Sequence, residues 1–215
     1  MLERVICLLI GYVCGLFQTG YLYGKMHGID IRQHGSGNAG TTNALRTLGT
    51  KAGVITFAGD CLKCILAVVI VRLIFGETCA DSIRLLGLYG SAGAILGHNF
   101  PFYLNFRGGK GIACTAGLLA SFDMRIAVVA FLAFIVVFVT THYVSLGSIL
   151  VYVVFVAGAL ILGTTGNMNL TGSDLYEMYI ITVLLAIMAI WKHRQNIKRL
   201  MAGNENKTYL IKKKI

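Results

Sequence analysis

Three polar segments interrupt an otherwise apolar chain, and each combines glycine with basic side chains. The first, GSGNAGTTNALRTLG at residues 35–49, has Arg46 as its one charged residue and contains no carboxylate. Closely spaced glycines permit backbone conformations in which successive N–H groups converge on an anion. A short helix capped by Thr41 or Thr42 and ending at Gly49 would add the positive end of its dipole. The segment therefore indicates a phosphate-binding loop, the alternative being a solvated turn.

The second segment, GHNFPFYLNFRGGKG at residues 97–111, ends in a glycine–lysine cluster before an apolar stretch. It is not a P-loop, because Gly111 follows Lys110 where that motif requires serine or threonine. It still offers backbone N–H groups, Lys110 and Arg107 to an anion. His98, taken alone, is more typical of a helix end or a packed side chain than of a catalyst.

The third segment, WKHRQNIKRLMAGNE at residues 191–205, follows the last apolar stretch. His193, Asn196 and Arg199 recur at intervals of three and so share a broad face of a helix. The alternative is a basic tail that binds anionic lipid head groups. We expect that role for three lysines of the C-terminus, Lys212, Lys213 and Lys214, but it does not explain His193 and Asn196.

Two patterns that are absent from the sequence argue against particular catalytic mechanisms. No histidine is followed five positions later by aspartate, so the His-x4-Asp base of many glycerolipid acyltransferases is missing. The basic segments carry no carboxylate cluster suited to Mg²⁺, and we expect neither a metal nor another cofactor. Cys61 and Cys64 form one CxxC with no second pair, which favours core packing over a zinc site.

The composition places these segments in a membrane protein, because 56% of the residues are hydrophobic and 13% charged, whereas soluble domains carry about 25% charged residues. A spanning helix needs about 20 apolar residues, and six stretches qualify: 4–24, 53–75, 83–104, 126–142, 144–163 and 175–191. Residues 112–122 predict a short or re-entrant helix covered by its neighbours. We expect one all-α domain over residues 1–215, a compact bundle of about seven transmembrane helices.

Two patterns inside the apolar stretches have structural or functional interpretations. The glycine pairs Gly11/Gly15, Gly20/Gly24 and Gly93/Gly97 are typical of close helix packing. Asp60 and Lys63, three residues apart within a predicted span, would form either a buried ion pair or a support for the site.

The basic residues predict the orientation of the bundle. With the N-terminus outside, most of the 19 lysines and arginines fall on the cytoplasmic side, as the positive-inside rule requires. All three polar segments and the C-terminus then lie in the cytoplasm. In such a protein the net charge of +10 favours the lipid bilayer and anionic small molecules as partners, and we expect no nucleic acid.

Together the three segments resemble the bacterial acyl-phosphate:glycerol-3-phosphate acyltransferase family, the PlsY-type enzymes. The matching patterns are GSGNxGxTNxLRxLG, GHxFPxxLxFxGGKG and HRxNIxRLxxGxE, and the stretches THYVSLGS and GDCLK are also similar to family sequences. The resemblance covers nearly the whole chain. Four residues depart from the usual family pattern: Ala39 stands in place of proline, Cys64 of glycine, Asn204 of threonine and His142 of arginine.

The resemblance implies an enzyme of the bacterial inner membrane. It would transfer a fatty acyl group from acyl phosphate to the sn-1 hydroxyl of glycerol 3-phosphate, giving lysophosphatidic acid and phosphate. Direct attack by the hydroxyl needs no acyl-enzyme, and either His193 or a substrate phosphate could take the proton. A transient contact with the cytosolic enzyme that makes acyl phosphate is also implied. The rival functions are a transporter for phosphorylated metabolites, with a path near the midplane, and a scaffold for cytosolic enzymes.

The resemblance also assigns roles to residues. The implied catalytic residues are Ser36, Arg46, Lys110, His193 and Asn196, with Arg46 and Lys110 holding phosphates and His193 and Asn196 orienting glycerol 3-phosphate. The implied substrate-binding residues are Gly37, Asn38, Gly40, Thr41, Thr42, Asn43, His98, Asn99, Arg107, Gly108, Gly109 and Gly111, the last three admitting the acyl-phosphate head group. Supporting roles fall to Asp60, Lys63, Arg199 and Glu205.

Overall fold

A computed structural model describes residues 1–209, which contain helices and no strand. Lys212, Lys213 and Lys214 lie outside the described residues. The α-helices are α1 (Leu2–Gly15), α2 (Thr19–Met26), α3 (Thr41–Leu48), α4 (Thr50–Phe75), α5 (Ile83–Asn99), α6 (Ile112–Phe122), α7 (Met124–Thr141), α8 (Val144–Thr164), α9 (Gly172–Lys192) and α10 (Arg194–Met201). The predicted all-α class is confirmed.

Five segments of the described chain are long and apolar enough to cross a membrane: Leu2–Met26, which joins α1 and α2, and helices α4, α7, α8 and α9. Helix α5 has 17 residues, nearly all of them buried, and α6 has 11. These two shorter helices complete the bundle of about seven. The predicted short helix at 112–122 is confirmed, and its packing against α4 and α5 explains how so short an apolar helix is accommodated.

The first span is one helix in the prediction and two in the structure. The break lies at residues 16–18, where Gln18 is fully buried. Its amide donates to three backbone carbonyls, those of Gly15, Gly97 and His98. The Leu16 carbonyl accepts from the Tyr103 hydroxyl and the Phe17 carbonyl from the Lys63 ammonium. Every backbone group freed inside a bilayer needs such a partner, so these side chains make the break possible.

Helix α5 is also shorter than predicted, because it ends at Asn99 rather than continuing to residue 104. Pro101 follows two residues later, and proline has no N–H to donate and disfavours helical geometry in the residue before it. Accordingly Phe100 leaves the helical conformation, with φ −136° and ψ 58°. The chain then turns through a short 3₁₀ helix at Phe102–Leu104 and returns to the bundle as the glycine–lysine cluster.

Glycines bring α1 and α5 into backbone contact. A Cβ added at Gly11 or Gly15 would overlap the backbone of α5, and one added at Gly93 or Gly97 would overlap the backbone of α1. Small residues at both faces let the two helices approach this closely. Gly20 instead packs against Ala39 of the first polar segment and Thr56 of α4, so it holds that segment on the bundle.

Candidate active site

A cavity of about 150 Å³ lies at the end of the bundle where α3, α6, α8 and α10 begin. All three polar segments contribute to its wall, although they are far apart in the sequence. The predicted residues that line it are Ser36, Asn38, Gly40, Thr41, Thr42, Asn43, Arg46, His98, Lys110, Gly111, His193, Asn196, Arg199 and Glu205. The structure thus brings together all five predicted catalytic residues.

Other predicted residues do not line the cavity. Among residues 1–209, the cavity lining does not include Gly37, Asn99, Arg107, Gly108, Gly109, Asp60 or Lys63. A Cβ at Gly109 would overlap the His98 imidazole, and one at Gly108 would overlap the His98 carbonyl. These glycines therefore allow the second segment to pack on the end of α5. Asp60 and Lys63 form a buried ion pair of 2.8 Å, one of the two alternatives their spacing left open.

Asn43 and Asn38 fold the first polar segment back onto α3. The Asn43 side chain accepts from the Ser36 N–H at 2.8 Å and donates to the carbonyls of Ile31 and His34. The Asn38 side chain accepts from the Gly40 N–H. The helix ends at Leu48 before Gly49, as predicted, but the expected threonine cap is wrong because Gly40 is the N-cap. The Thr41 hydroxyl is buried at the cavity and has no partner in the described chain.

Four helix N-termini face the cavity, which makes it electropositive beyond its side-chain charges. The residues at these ends are Gly40, Thr41 and Thr42 of α3, Gly111 and Ile112 of α6, Val144 and Ser145 of α8, and His193 and Asn196 of α10. The N-caps Gly40 and Gly111 have no side chain to accept the first N–H groups of their helices, so groups such as the Thr41 and Thr42 N–H remain available to a ligand. Helix N-termini with free N–H groups favour anions.

Among residues 1–209, Glu205 is the one acidic side chain on the cavity wall. Its carboxylate accepts from Asn196 at 2.7 Å, Arg199 at 2.7 Å and Ser145 at 3.0 Å. Burial opposes its ionisation, but these three hydrogen bonds outweigh burial and lower the pKa of Glu205. Glu205 therefore holds α10 in place. In the described residues no three His, Cys, Asp or Glu side chains lie together as a metal site would require.

Lys110 reaches the same network from the second segment. Its ammonium donates to the Asn196 side-chain oxygen at 2.5 Å. Burial lowers the pKa of Lys110 to about 8, an effect that Glu205 opposes and that Arg199 and Arg46 reinforce. The side chain is thus a cation near neutral pH whose closest partner is a neutral amide rather than a carboxylate.

His193 is neutral at physiological pH and has a fixed tautomer. Burial lowers its pKa to about 4, and the positive charge of Lys110 adds to the effect. Its Nδ1 lies 2.8 Å from the Ala189 carbonyl, which can only accept, so Nδ1 carries the proton. Nε2 is left as a hydrogen-bond acceptor.

Arg46 contacts the chain beyond α10. Its guanidinium donates to the Asn206 carbonyl at 3.0 Å and to the Thr208 hydroxyl. The Thr208 N–H in turn donates to the His142 carbonyl at 2.9 Å. The sequence did not lead us to Thr208. It also did not lead us to Ser145 and Ser148 of α8, two serines that line the cavity. The stretch THYVSLGS was the available signal for the two serines, and no pattern marked Thr208.

An apolar groove of about 370 Å³ adjoins the polar cavity. It lies among α4, α6, α7 and α8, and Phe57, Ile112 and Phe134 line both spaces. Its other walls are apolar side chains such as Leu119, Phe131 and Val151. Sequence reasoning did not single out these residues, because they are indistinguishable from ordinary residues of a spanning helix.

The sequence is similar to those of known proteins. The protein-family model described as glycerol-3-phosphate acyltransferase matches residues 5–203. The chain is 40% identical over 204 residues to the glycerol-3-phosphate acyltransferase of Thermoanaerobacter sp. strain X514, covering 94% of each chain. It is 41% identical over 202 residues to that of Halalkalibacterium halodurans, covering 93% of each.

Solved structures show the same fold. The structure is similar to a crystal structure of PlsY (YgiH), an integral membrane glycerol 3-phosphate acyltransferase, in its glycerol 3-phosphate form, with a TM-score of 0.81, 29% identity and 96% of each chain covered. The lysophosphatidic acid form gives a TM-score of 0.78 at 28% identity, again over 96% of each chain.

Proposed function

The chain belongs to the glycerol-3-phosphate acyltransferase family, and from that premise we propose the reaction that it performs. It is a multi-pass integral membrane acyltransferase. In our proposal it transfers a fatty acyl group from acyl phosphate to the sn-1 hydroxyl of glycerol 3-phosphate. The products are lysophosphatidic acid and inorganic phosphate.

One observation carries the proposal: an anion-binding cavity and an apolar groove share a wall. The cavity offers Arg46, Lys110 and four helix N-termini, whereas the groove offers apolar side chains. A fatty acyl phosphate has a charged head and a long apolar chain, so it needs both environments side by side. In this arrangement Phe57, Ile112 and Phe134 lie near the junction of the acyl chain with its phosphate.

The proposed reaction is a direct displacement. The sn-1 oxygen attacks the acyl carbonyl carbon, the bond from that carbon to the phosphate oxygen breaks, and phosphate leaves with the bonding electrons. Arg46 and Lys110 neutralise the two phosphates, and catalysis rests on positioning and charge stabilisation. Ser36 lies on the same cavity wall, with its N–H bonded to Asn43 of α3, and in our proposal its hydroxyl binds a substrate.

The two candidates for the proton acceptor differ in basicity. The pKa of His193 is lowered to about 4, whereas a phosphate monoester has a second pKa of about 6. In our proposal a substrate phosphate oxygen takes the hydroxyl proton, because burial and the positive charge of Lys110 disfavour a protonated His193. His193 Nε2 then accepts a hydrogen bond from glycerol 3-phosphate and orients it, with Asn196 beside it on α10.

The proposed location is the bacterial inner membrane, with the N-terminus outside and the cavity facing the cytoplasm. The excess of lysine and arginine at the cavity end supports this orientation. Acyl phosphate would then arrive from the cytosolic enzyme that makes it. Single cysteines at positions 36 and 110 of a cysteine-light variant should react with an impermeant reagent only in inverted vesicles. Labelling of either position from outside intact cells would reject the orientation.

The decisive experiment uses the purified protein in detergent with palmitoyl phosphate and glycerol 3-phosphate, following phosphate release and lysophosphatidic acid together. Stoichiometric appearance of both products supports the proposal. Phosphate release without lysophosphatidic acid would indicate mere hydrolysis and reject it. The transporter alternative requires uptake of labelled glycerol 3-phosphate into proteoliposomes without acyl phosphate, which we expect to be absent.

A further inference from the structure

A cluster of polar side chains is buried inside the bundle beneath the cavity. Asp60 and Lys63 lie on α4 and His98 lies near the end of α5, with exposures of 1%, 5% and 2%. Charged residues at such depth are costly and usually functional. The role of this cluster follows from its hydrogen bonds.

Lys63 uses its three N–H donors on three acceptors. Its Nζ lies 2.6 Å from the Phe17 carbonyl, 2.8 Å from Asp60 Oδ1 and 2.9 Å from His98 Nδ1. An ammonium group has no acceptor, so His98 Nδ1 must be the acceptor of this bond. The distance from His98 Nδ1 to Asp60 is 3.6 Å, too long for a competing hydrogen bond.

The consequence is a fixed tautomer of His98. Because Nδ1 accepts from Lys63, the proton of the neutral imidazole resides on Nε2. Asp60 pairs with the Lys63 ammonium at 2.8 Å and so fixes its position, and the Thr19 hydroxyl donates to Asp60 at 3.1 Å. His98 is therefore held as an Nε2–H donor.

His98 lies at the cavity. The imidazole lines the cavity wall, and Nε2 lies against Gly109, whose missing side chain lets the ring approach. Within residues 1–209, no protein atom accepts a hydrogen bond from Nε2. Lys110, the next residue along the chain, also lines the cavity, so the imidazole and a cation bound only to a neutral amide adjoin one space.

We propose that His98 donates a hydrogen bond from Nε2 to a substrate phosphate beside Lys110, and that Lys63 and Asp60 are positioning residues that fix its tautomer. This inference rests on the proposed function, and it gives His98, an implied substrate-binding residue, a specific donor atom and a specific ligand group. The two histidines of the cavity then have opposite tautomers: His98 presents an Nε2–H donor to the phosphate and His193 an Nε2 acceptor to the hydroxyl.

Amide substitutions separate the proposed role of His98 from packing. Glutamine can place an amide N–H near the position of Nε2, whereas asparagine reaches only the position of Nδ1. We expect His98→Gln to retain kcat/KM within about tenfold of the wild type and His98→Asn to lose about 100-fold, the range for one removed donor. In His98→Asn, the KM for glycerol 3-phosphate and the KM for palmitoyl phosphate are compared. The substrate whose KM rises more is the one whose phosphate His98 contacts. Equal losses in two folded variants would overturn the proposal.

The tautomer can be measured without any activity. Nitrogen NMR of protein labelled with ¹⁵N-histidine, with the His98 signals assigned by their absence in His98→Gln, should show Nε2 protonated and Nδ1 unprotonated. A proton on Nδ1 would overturn the proposal. This measurement is independent of the proposed function. If the wild type transferred no acyl group, the proposed function would be rejected, but the spectrum would still show which nitrogen of His98 carries the proton.

The positioning role of Asp60 and Lys63 is tested by removing both charges at once, in Asp60→Asn/Lys63→Met, which leaves no unpaired buried charge. We expect both His98 tautomers in the spectrum and kcat/KM reduced about threefold or more. In the His98→Gln background the same pair should cause no further loss, because glutamine has no tautomer to select. A single unchanged tautomer, or an equal loss in both backgrounds, would show that the pair does not position His98.

Discussion

The two ends of the bundle treat their basic residues differently. At the end opposite the cavity, Arg4 bonds Asp174 at 2.8 Å and Glu177 at 2.6 Å. Arg84 and Arg125 share Asp123 at 3.2 Å and 2.8 Å. At the cavity end Arg199 is paired with Glu205, but Arg46 and Lys110 hydrogen-bond only neutral oxygens among the described residues.

For these residues, the difference separates cations held by a carboxylate from cations that an anion can still bind. A carboxylate partner satisfies a cation permanently, and an incoming phosphate would have to displace it. A neutral amide, carbonyl or hydroxyl oxygen gives a weaker contact than a charged group does, so a phosphate can replace it with a gain. Arg46 and Lys110 are therefore available to anions, whereas Arg4 and Arg84 join different parts of the bundle and Arg125 pairs with the N-cap of its own helix.

The largest effect should come from removing an available cation. Arg46→Ala or Lys110→Ala deprives the cavity of a phosphate contact, and turnover should fall by about 10²–10³-fold, the range for one electrostatic stabiliser. Arg125→Ala at the opposite end is the matched control and should keep near-normal turnover. Steady-state phosphate release by folded, monodisperse variants makes the comparison. Near-normal turnover in Arg46→Ala and Lys110→Ala would contradict the claim that these two cations bind substrate phosphates.

The next effect concerns pH. Because burial lowers the pKa of Lys110 to about 8, its cationic form is lost as the pH rises through that value. The groups that act on it are Glu205, Arg199, Arg46 and Lys192. We expect kcat/KM to fall about tenfold per pH unit above pH 8.

The control for this decline of kcat/KM at alkaline pH is Lys110→Arg, because arginine stays charged throughout the pH range of the measurement. In that variant the decline should move to higher pH, whatever its absolute activity. If kcat/KM of Lys110→Arg still began to fall near pH 8, the decline would be due to the titration of another group. On the acid side the neutral form of His193, whose pKa is about 4, persists down to that pH.

The smallest effect on catalysis is expected at Asp123. This residue is the N-cap of α7 through the Arg125 N–H, and it pairs with Arg84. Asp123→Ala should lower stability by about 0.5–2 kcal/mol, the range for a lost cap, with kcat unchanged. Hydrogen bonds from Arg125 lower its pKa from 3.8 to about 2. Its stabilising contribution is therefore present above pH 4 and lost as the pH falls towards 2, which thermal unfolding in detergent can measure.

The sequence alone determined the elements and the chemistry of the loops. Hydropathy and length are local properties, so the short helix at 112–122 and the end of α3 before Gly49 were predictable. The three motifs identified Arg46, Lys110 and His193 by resemblance. The break at residues 16–18 was not predictable, because it depends on Lys63 and Tyr103 reaching carbonyls of a distant helix.

Only the tertiary structure decided how the loops meet. The bonds from Lys110 to Asn196 and from Arg46 to Thr208 join residues 86 and 162 positions apart, and helical periodicity carries no information on such pairs. The tautomer of His98 depends in the same way on a lysine from another helix. Contacts of this kind follow from how whole helices pack, since small residues such as Gly11 and Gly93 set the spacing of the helices and thereby the position of every side chain at their ends.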